Sequence, residues 1–197
     1  MFNNHHSLHK QKCRDLIEKQ VSKFKDEVKV FTLPSTNFIL EEKLLNNPNV
    51  SLYCAENNAS VYKEQKKNVL SKQITLKKGD AFEVLDKSKQ NYNVVWMDLC
   101  CPLRKPVINR VLSLIQSDKL EDCYFNLTVA CSREQNYEDN LKFYGADTLK
   151  EFRNTVFPKL VQSFAENSGK KCKLVSTINY KEKGYSVPMK MLTFKIK

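Results

Sequence analysis

In 197 residues the chain carries 33 Lys and Arg against 22 Asp and Glu, a formal net charge of +11, with 41% hydrophobic and 28% charged residues. That balance describes one folded globular domain with a full core and excludes a disordered segment. The four glycines, Gly79, Gly145, Gly169 and Gly184, cannot spell a P-loop or a dinucleotide fingerprint, which excludes P-loop nucleotide hydrolysis and glycine-fingerprint reductases.

Residues 7–26 read as a helix with Ser7 as its cap. Leu8, Cys13, Leu16, Ile17, Val21 and Phe24 form its apolar stripe. Lys10, Lys12, Arg14, Lys19, Lys23 and Lys25 fall on the other face, expected to meet water or phosphate. His5, His6 and His9 belong to a leader, and no metal site is expected there. Met1 to Lys12 lacks the apolar core of a secretory signal. No apolar run reaches the length of about 18 residues that a membrane-spanning helix needs, so no membrane partner is expected.

Val28 to Leu33 reads as a first strand, broken by Pro34-Ser35-Thr36-Asn37. A helix over Phe38 to Leu45 follows, with Ser35, Thr36 or Asn37 as candidate caps. Val50 to Ala55 is a second strand, with Glu56 directly after it. A third helix, capped by Asn57 or Asn58, runs to about Val69. Gln73 to Lys77 is a short third strand leading into Gly79-Asp80-Ala81-Phe82, and Ala81 to Leu85 is a helical turn. Lys87 to Tyr92 is a polar loop.

Asn93 to Asp98 is the most informative stretch. Its apolar run without polar alternation fits a strand buried on both faces. The run ends at Asp98, and Leu99-Cys100-Cys101-Pro102 turns away from it. Pro106 to Ser117 is helical and Asp122 to Cys131 is a strong strand. Ser132 to Asp147 is a polar loop or lid with some helix, carrying Tyr137, Phe143 and Tyr144 as stacking candidates. Thr148 to Asn167 is a long helix that Pro158 should kink. Cys172 to Tyr180 and Met189 to Lys195 close the chain as strands of a hairpin joined through residues 181–186.

The seven cysteines include no CxxC pair, so neither a disulfide framework nor a zinc site is expected. Cys54, Cys123, Cys131 and Cys172 sit in apolar runs, where a free thiol packs as a small hydrophobe. A reducing compartment, cytoplasmic or nuclear, follows.

The βα alternation predicts an α/β, Rossmann-like, doubly wound sheet of about seven strands, mostly parallel, ending in an antiparallel hairpin and preceded by a helix. Glu56, Asp80 and Asp98 fall just after three successive strands. A carboxylate after the second strand suits ribose hydroxyls, one after the third an adenine amino group, and one after the fourth the reacting end of a ligand.

On Glu56, on Gly79-Asp80-Ala81-Phe82, on Val94-Val95-Trp96-Met97-Asp98 with Pro102, and on the late hairpin, the chain resembles the class I S-adenosylmethionine-dependent methyltransferases. The resemblance covers residues 28–197, a methyltransferase-like domain, with residues 1–27 as leader and basic amphipathic helix. It implies S-adenosylmethionine as cofactor, held by Pro34, Ser35, Asn37, Glu56, Asp80 and Ala81. It also implies chemistry near Asp98, Cys100, Cys101 and Pro102. The family has a glycine-rich turn after the first strand and, in enzymes that methylate nucleic-acid amines, two prolines and an aromatic after the fourth-strand acid. This chain has neither. A cysteine at the active edge also admits carbon methylation through a thiolate, carried by Cys100 or Cys101.

The basic surplus suits nucleic acid, with Arg104, Lys105, Arg110 and Arg133 as candidate contacts, and equally suits a solvated lysine surface, because only five of the basic residues are Arg. Two functions are therefore expected to compete. One is methyl transfer to nucleic acid. The other is a non-catalytic methyltransferase-fold protein that binds a protein partner, as in an accessory subunit of a virus or mobile element.

Overall fold

A computed structural model of the chain describes residues 8–69, 71–131, 138–181 and 187–197. Its strands are β1 (Val28–Thr32), β2 (Val50–Glu56), β3 (Ile74–Lys78), β4 (Val94–Asp98), β5 (Tyr124–Ala130), β6 (Cys172–Tyr180) and β7 (Met189–Ile196). They form one sheet in the order β3-β2-β1-β4-β5-β7-β6. β1 to β5 pair in parallel, whereas β7 inserts antiparallel between β5 and β6. This is the doubly wound α/β sheet expected from the sequence, including the reversed hairpin. The residues joining that hairpin, 182–186, lie outside the described residues.

The helices are α1 (Leu8–Val21), α2 (Ile39–Leu44), α3 (Ala59–Asn68), α4 (Ala81–Lys87), α5 (Lys105–Gln116), α6 (Glu138–Tyr144), α7 (Leu149–Glu151) and α8 (Phe157–Asn167). The core divides by sheet face. Val95 and Met97 of β4 face the larger cluster with α4, α5 and α8. Val94 and Trp96 face the cluster holding α1 and α2. Both faces of β4 are covered, which explains its unbroken apolar run. Trp96 Nε1 donates to Thr128 Oγ1 at 2.9 Å, so the indole is buried without an unmet donor.

Helix α1 is part of this core. Cys13, Ile17 and Val21 are buried, as the stripe predicts, but so are Arg14 and Gln20. The expectation that Lys10 and Arg14 lie on the wet face is corrected. Positions 10, 13, 14, 17, 20 and 21 recur at helical spacing and extend the inward face. Gln20 exchanges two amide hydrogen bonds with Asn126 of β5, at 3.0 and 2.8 Å, and Thr193 Oγ1 donates to the same Asn126 at 2.8 Å. An unmet amide there would cost about 1–3 kcal/mol, so this network sets how α1 docks on the sheet.

Two local expectations change. None of Ser35, Thr36 or Asn37 caps α2. The cap is Phe38, in the left-handed region at φ 48°, without a side-chain bond. In the long helix, the chain passes Pro158 through a π-turn at Phe152–Val156, where Phe157 N–H donates to Phe152 O. Pro158 has no N–H for the carbonyl four residues back, and the wider turn absorbs that missing donor.

Candidate active site

The order of the strands reverses between β1 and β4, and in open α/β sheets ligands bind at such a crevice, beyond the carboxyl ends. The turns after β1 and β4 form its walls. Each contains a non-glycine residue at positive φ, Phe38 at 48° and Cys100 at 49°. The left-handed conformation costs roughly 1–2 kcal/mol per residue, so both turns are held by their surroundings.

The first turn is strapped from α3. Gln65, fully buried, donates from Nε2 to Pro34 O at 2.8 Å, and Asn68 Nδ2 donates to Thr36 O at 3.1 Å. Ser35 lines a recess of about 150 Å³ together with Pro34, Trp96, Asp98, Lys10 and Arg14. The Ser35 hydroxyl is buried and has no hydrogen-bond partner among the described residues. Asn37 is exposed.

Glu41 of α2 also faces this recess and was not singled out in the sequence. It is buried, and Thr32 Oγ1 donates to its Oε1 at 2.7 Å. Burial pushes its carboxyl up, while the Thr32 bond and the Arg14 and Lys10 charges pull it down less strongly.

The three strand-end carboxylates lie along this edge, and each is engaged by its own chain. Glu56 Oε1 accepts from Asn58 N–H at 2.7 Å, and Asn58 in turn caps α3. Asp80 caps α4 by accepting from Phe82 and Glu83 N–H. Arg110 of α5 forks onto the same carboxylate, with Nη1 3.1 Å from Oδ2 and Nη2 against Oδ1. The guanidinium also sits 4.4 Å from the centre of the Phe82 ring. Ala81, just after Asp80, is buried as the first residue of α4.

Asp98 is met by Lys10, with Nζ 2.5 Å from Oδ2, and the Asp98 side chain is only 8% exposed. Burial works to lower the Lys10 pKa, but the Asp98 and Cys100 charges outweigh it, so the net direction is upward. Cys100 Sγ donates to Asp98 Oδ1 at 3.4 Å. Cys100 is exposed as a residue, yet its sulfur is turned toward the carboxylate. Desolvation of the sulfur, followed by the Asp98 charge, pushes its pKa up to about 12. Such a thiol is protonated at neutral pH and is not primed as a nucleophile.

Cys101 and Pro102 are half-buried. Cys101 O accepts from Ala130 N–H and Leu99 N–H donates to Thr128 O, which ties this turn to β5. Arg104 is exposed at the cap of α5, and Lys105 places its ammonium 4.8 Å from the centre of the Phe143 ring. Of the four basic residues expected to contact nucleic acid, Arg110 is therefore paired with Asp80. Arg133, with Tyr137, lies outside the described residues. Periodicity assigns a face only by polarity, so it puts Lys10 and Arg14 on the wet face and gives Glu41 no role. The one available signal was the four-residue spacing of Lys10 and Arg14 beside Ile17 and Val21.

The sheet order and the carboxyl-edge crevice define the class I S-adenosylmethionine-dependent methyltransferase fold, and comparison with solved structures agrees. Over 98% of its length the chain matches Trm5b from Pyrococcus abyssi with a TM-score of 0.63 and 12% identity, spanning half of that longer chain. It also matches the plantazolicin methyltransferase BamL, solved with a triazolic desmethylPZN analog and SAH, at 0.63 with 14% identity over 98% of this chain and 86% of that one. For precorrin-6y C5,15-methyltransferase from Geobacter metallireducens the score is 0.57 with 16% identity, over 98% and 93%. No family model matches the sequence, and no curated protein does. Among the described residues no helix is long and apolar enough to cross a membrane.

Proposed function

We propose that the chain binds S-adenosylmethionine at the carboxyl edge and directs its methyl group to a nucleic acid. The observation carrying this reading is the placement of Glu56, Asp80 and Asp98 after β2, β3 and β4, along one edge of a methyltransferase-fold sheet. At the first turn the buried, unpartnered Ser35 hydroxyl would offer a polar contact to the cofactor's amino-acid end. Glu56 would hold the ribose and Asp80 the adenine amine. When bound, the cofactor supplies an electrophilic methyl group. Asp98 would orient an incoming amine, once Lys10 yields or shares the carboxylate. The +11 charge supports an anionic substrate. The raised Cys100 pKa favours an amine over a carbon target that needs a thiolate.

Calorimetric titration with S-adenosylmethionine tests this reading. Binding is expected for the native chain, with at least tenfold weaker binding in Glu56→Ala and Asp80→Ala. Equal binding in all three removes both residues from the cofactor site.

A second reading rests on the ion pairs. Arg110 on Asp80 and Lys10 on Asp98 satisfy from within the chain the carboxylates that a ligand would use. A non-catalytic subunit of this fold would keep such pairs closed. Absence of any S-adenosylmethionine binding, together with capture of a partner chain, decides for it.

A further inference from the structure

A second recess, distinct from the one beside Asp98, bears concentrated charge. It holds about 540 Å³ between β2, β3, α4 and the loop entering β4. Its walls include Lys77, Lys78, Lys87 and Lys89, and Tyr53 and Tyr92 line its floor. All four lysines are exposed, and no acidic residue lines the recess. Acidic groups beside its lining residues are Glu83, 3.7 Å from Lys87, exposed Asp86, Asp80, which is paired with Arg110, and Glu56, opposite Lys78 across the β2–β3 pair. The Glu56 carboxylate is turned to the Asn58 N–H instead.

The floor is aromatic and braced. Tyr53 and Tyr92 meet edge to face at 5.4 Å, and the Tyr92 hydroxyl shares a 2.7 Å hydrogen bond with Ser88. Tyr92 is buried, whereas Tyr53 keeps part of its surface open. β3 is the edge strand of the sheet, so nothing in the sheet continues past this wall.

We infer that this recess is a docking groove for a single strand of nucleic acid, phosphates against the four lysines and a base against Tyr53. The combination of a cationic wall and an aromatic floor is how single strands are held without sequence readout. A concave recess of this volume accepts a nucleotide unit, whereas a duplex presents a convex rod. Lys77 and Lys78 end β3, and Asp98 ends β4 on the same side of the sheet, with β2 and β1 between the two strands. The groove therefore anchors a strand to the side of Asp98, with two strands of the sheet between. The inference deepens the substrate class of the proposed function and rests on it for the choice of nucleic acid. Its test contains no methyl donor, so failure here is separate from failure of cofactor binding.

The test is fluorescence anisotropy of the full chain with a labelled single-stranded oligonucleotide, titrated across a series of KCl concentrations. Two variants each lose four charges: Lys77, Lys78, Lys87 and Lys89 to Gln in the groove, and Lys150, Lys159, Lys171 and Lys173 to Gln elsewhere. For four phosphates on a single strand, the slope of log K against log salt should fall by about 3 in the groove variant. The remote variant should keep most of the native slope, and the four groove lysines changed to Arg should restore binding. Equal loss in both Gln variants overturns the groove, because general charge then explains the affinity. Equal affinity for a duplex of the same sequence, or binding of anionic phosphatidylserine vesicles with the oligonucleotide left unbound, overturns the single-strand assignment.

Discussion

Lys10 of α1 and Asp98 of β4 form an ion pair 2.5 Å long inside the crevice, with side-chain exposures of 17% and 8%. The pair joins the first helix to the end of the strand that should carry the chemistry. A ligand that uses Asp98 must compete with this ammonium, and α1 is held in place by the Gln20–Asn126 network rather than by Lys10 alone.

Replacing Lys10 with Met leaves the buried Asp98 carboxylate without that cation. Breaking one side of a buried pair costs several kcal/mol, reduced here because Lys10 retains some solvent, so a loss of about 2 kcal/mol in urea unfolding is expected. The double variant Lys10→Met, Asp98→Asn should lose less than the two single variants summed. Strict additivity would show that the pair contributes no coupling. Because the folded Lys10 pKa is raised above its ordinary 10.5, its contribution is complete below that pH and is lost as pH rises through the folded value.

Cys100 should alkylate slowly despite its exposed position. With its pKa at about 12, roughly one thiol in ten thousand is ionised at pH 8. In a Cys101→Ser background, peptide mass spectrometry after iodoacetamide treatment at pH 8 should show little label at Cys100. Asp98→Asn should accelerate it by removing the neighbouring charge. Rapid labelling of the unmodified site would restore Cys100 as a candidate nucleophile.

Glu41 predicts a pH effect of opposite sign to acid denaturation. Burial raises its folded pKa above the ordinary 4.5, so the native state holds this proton longer than the unfolded chain. Its share of stability is present below pH 4.5 and falls as pH rises through the folded pKa. Glu41→Gln keeps an acceptor for Thr32 and removes that titration. The difference in unfolding free energy between native and variant should therefore shift in favour of Gln from pH 4.5 toward neutrality. A difference independent of pH would show that Glu41 titrates alike in the folded and unfolded chain.

Arg110→Ala releases Asp80 for a ligand while leaving its capping bonds to Phe82 and Glu83 in place. The pair is about one-third to two-fifths exposed, and such pairs are worth about 0–1 kcal/mol after solvent screening. Up to about fivefold tighter S-adenosylmethionine binding is expected by calorimetry. Weaker binding would assign Arg110 to the ligand instead of to Asp80.

The sheet was legible because strand signals are local. An apolar run such as Val94 to Met97 reports its own burial, and the βα alternation reports parallel pairing. That Glu56, Asp80 and Asp98 share one edge follows from strand polarity alone, whereas their order along it is set by the sheet order β3-β2-β1-β4. The capping of α3 by Asn58 was readable for the same reason, since a cap bonds N–H groups within its own turn. The cap at Phe38 was not readable, because a left-handed residue there is held by the packing of its buried ring and carries no chemical mark.

What the sequence by itself determined is the fold and the positions of three acids at the strand ends. Only the tertiary structure decided which cations pair with Asp98 and Asp80. Lys10 reaches Asp98 because α1 docks across β4, and Arg110 reaches Asp80 because α5 lies beside α4. Neither contact leaves a periodic trace. Charge pairing depends on how separate elements approach through space, whereas periodicity records only which face of a single element turns inward.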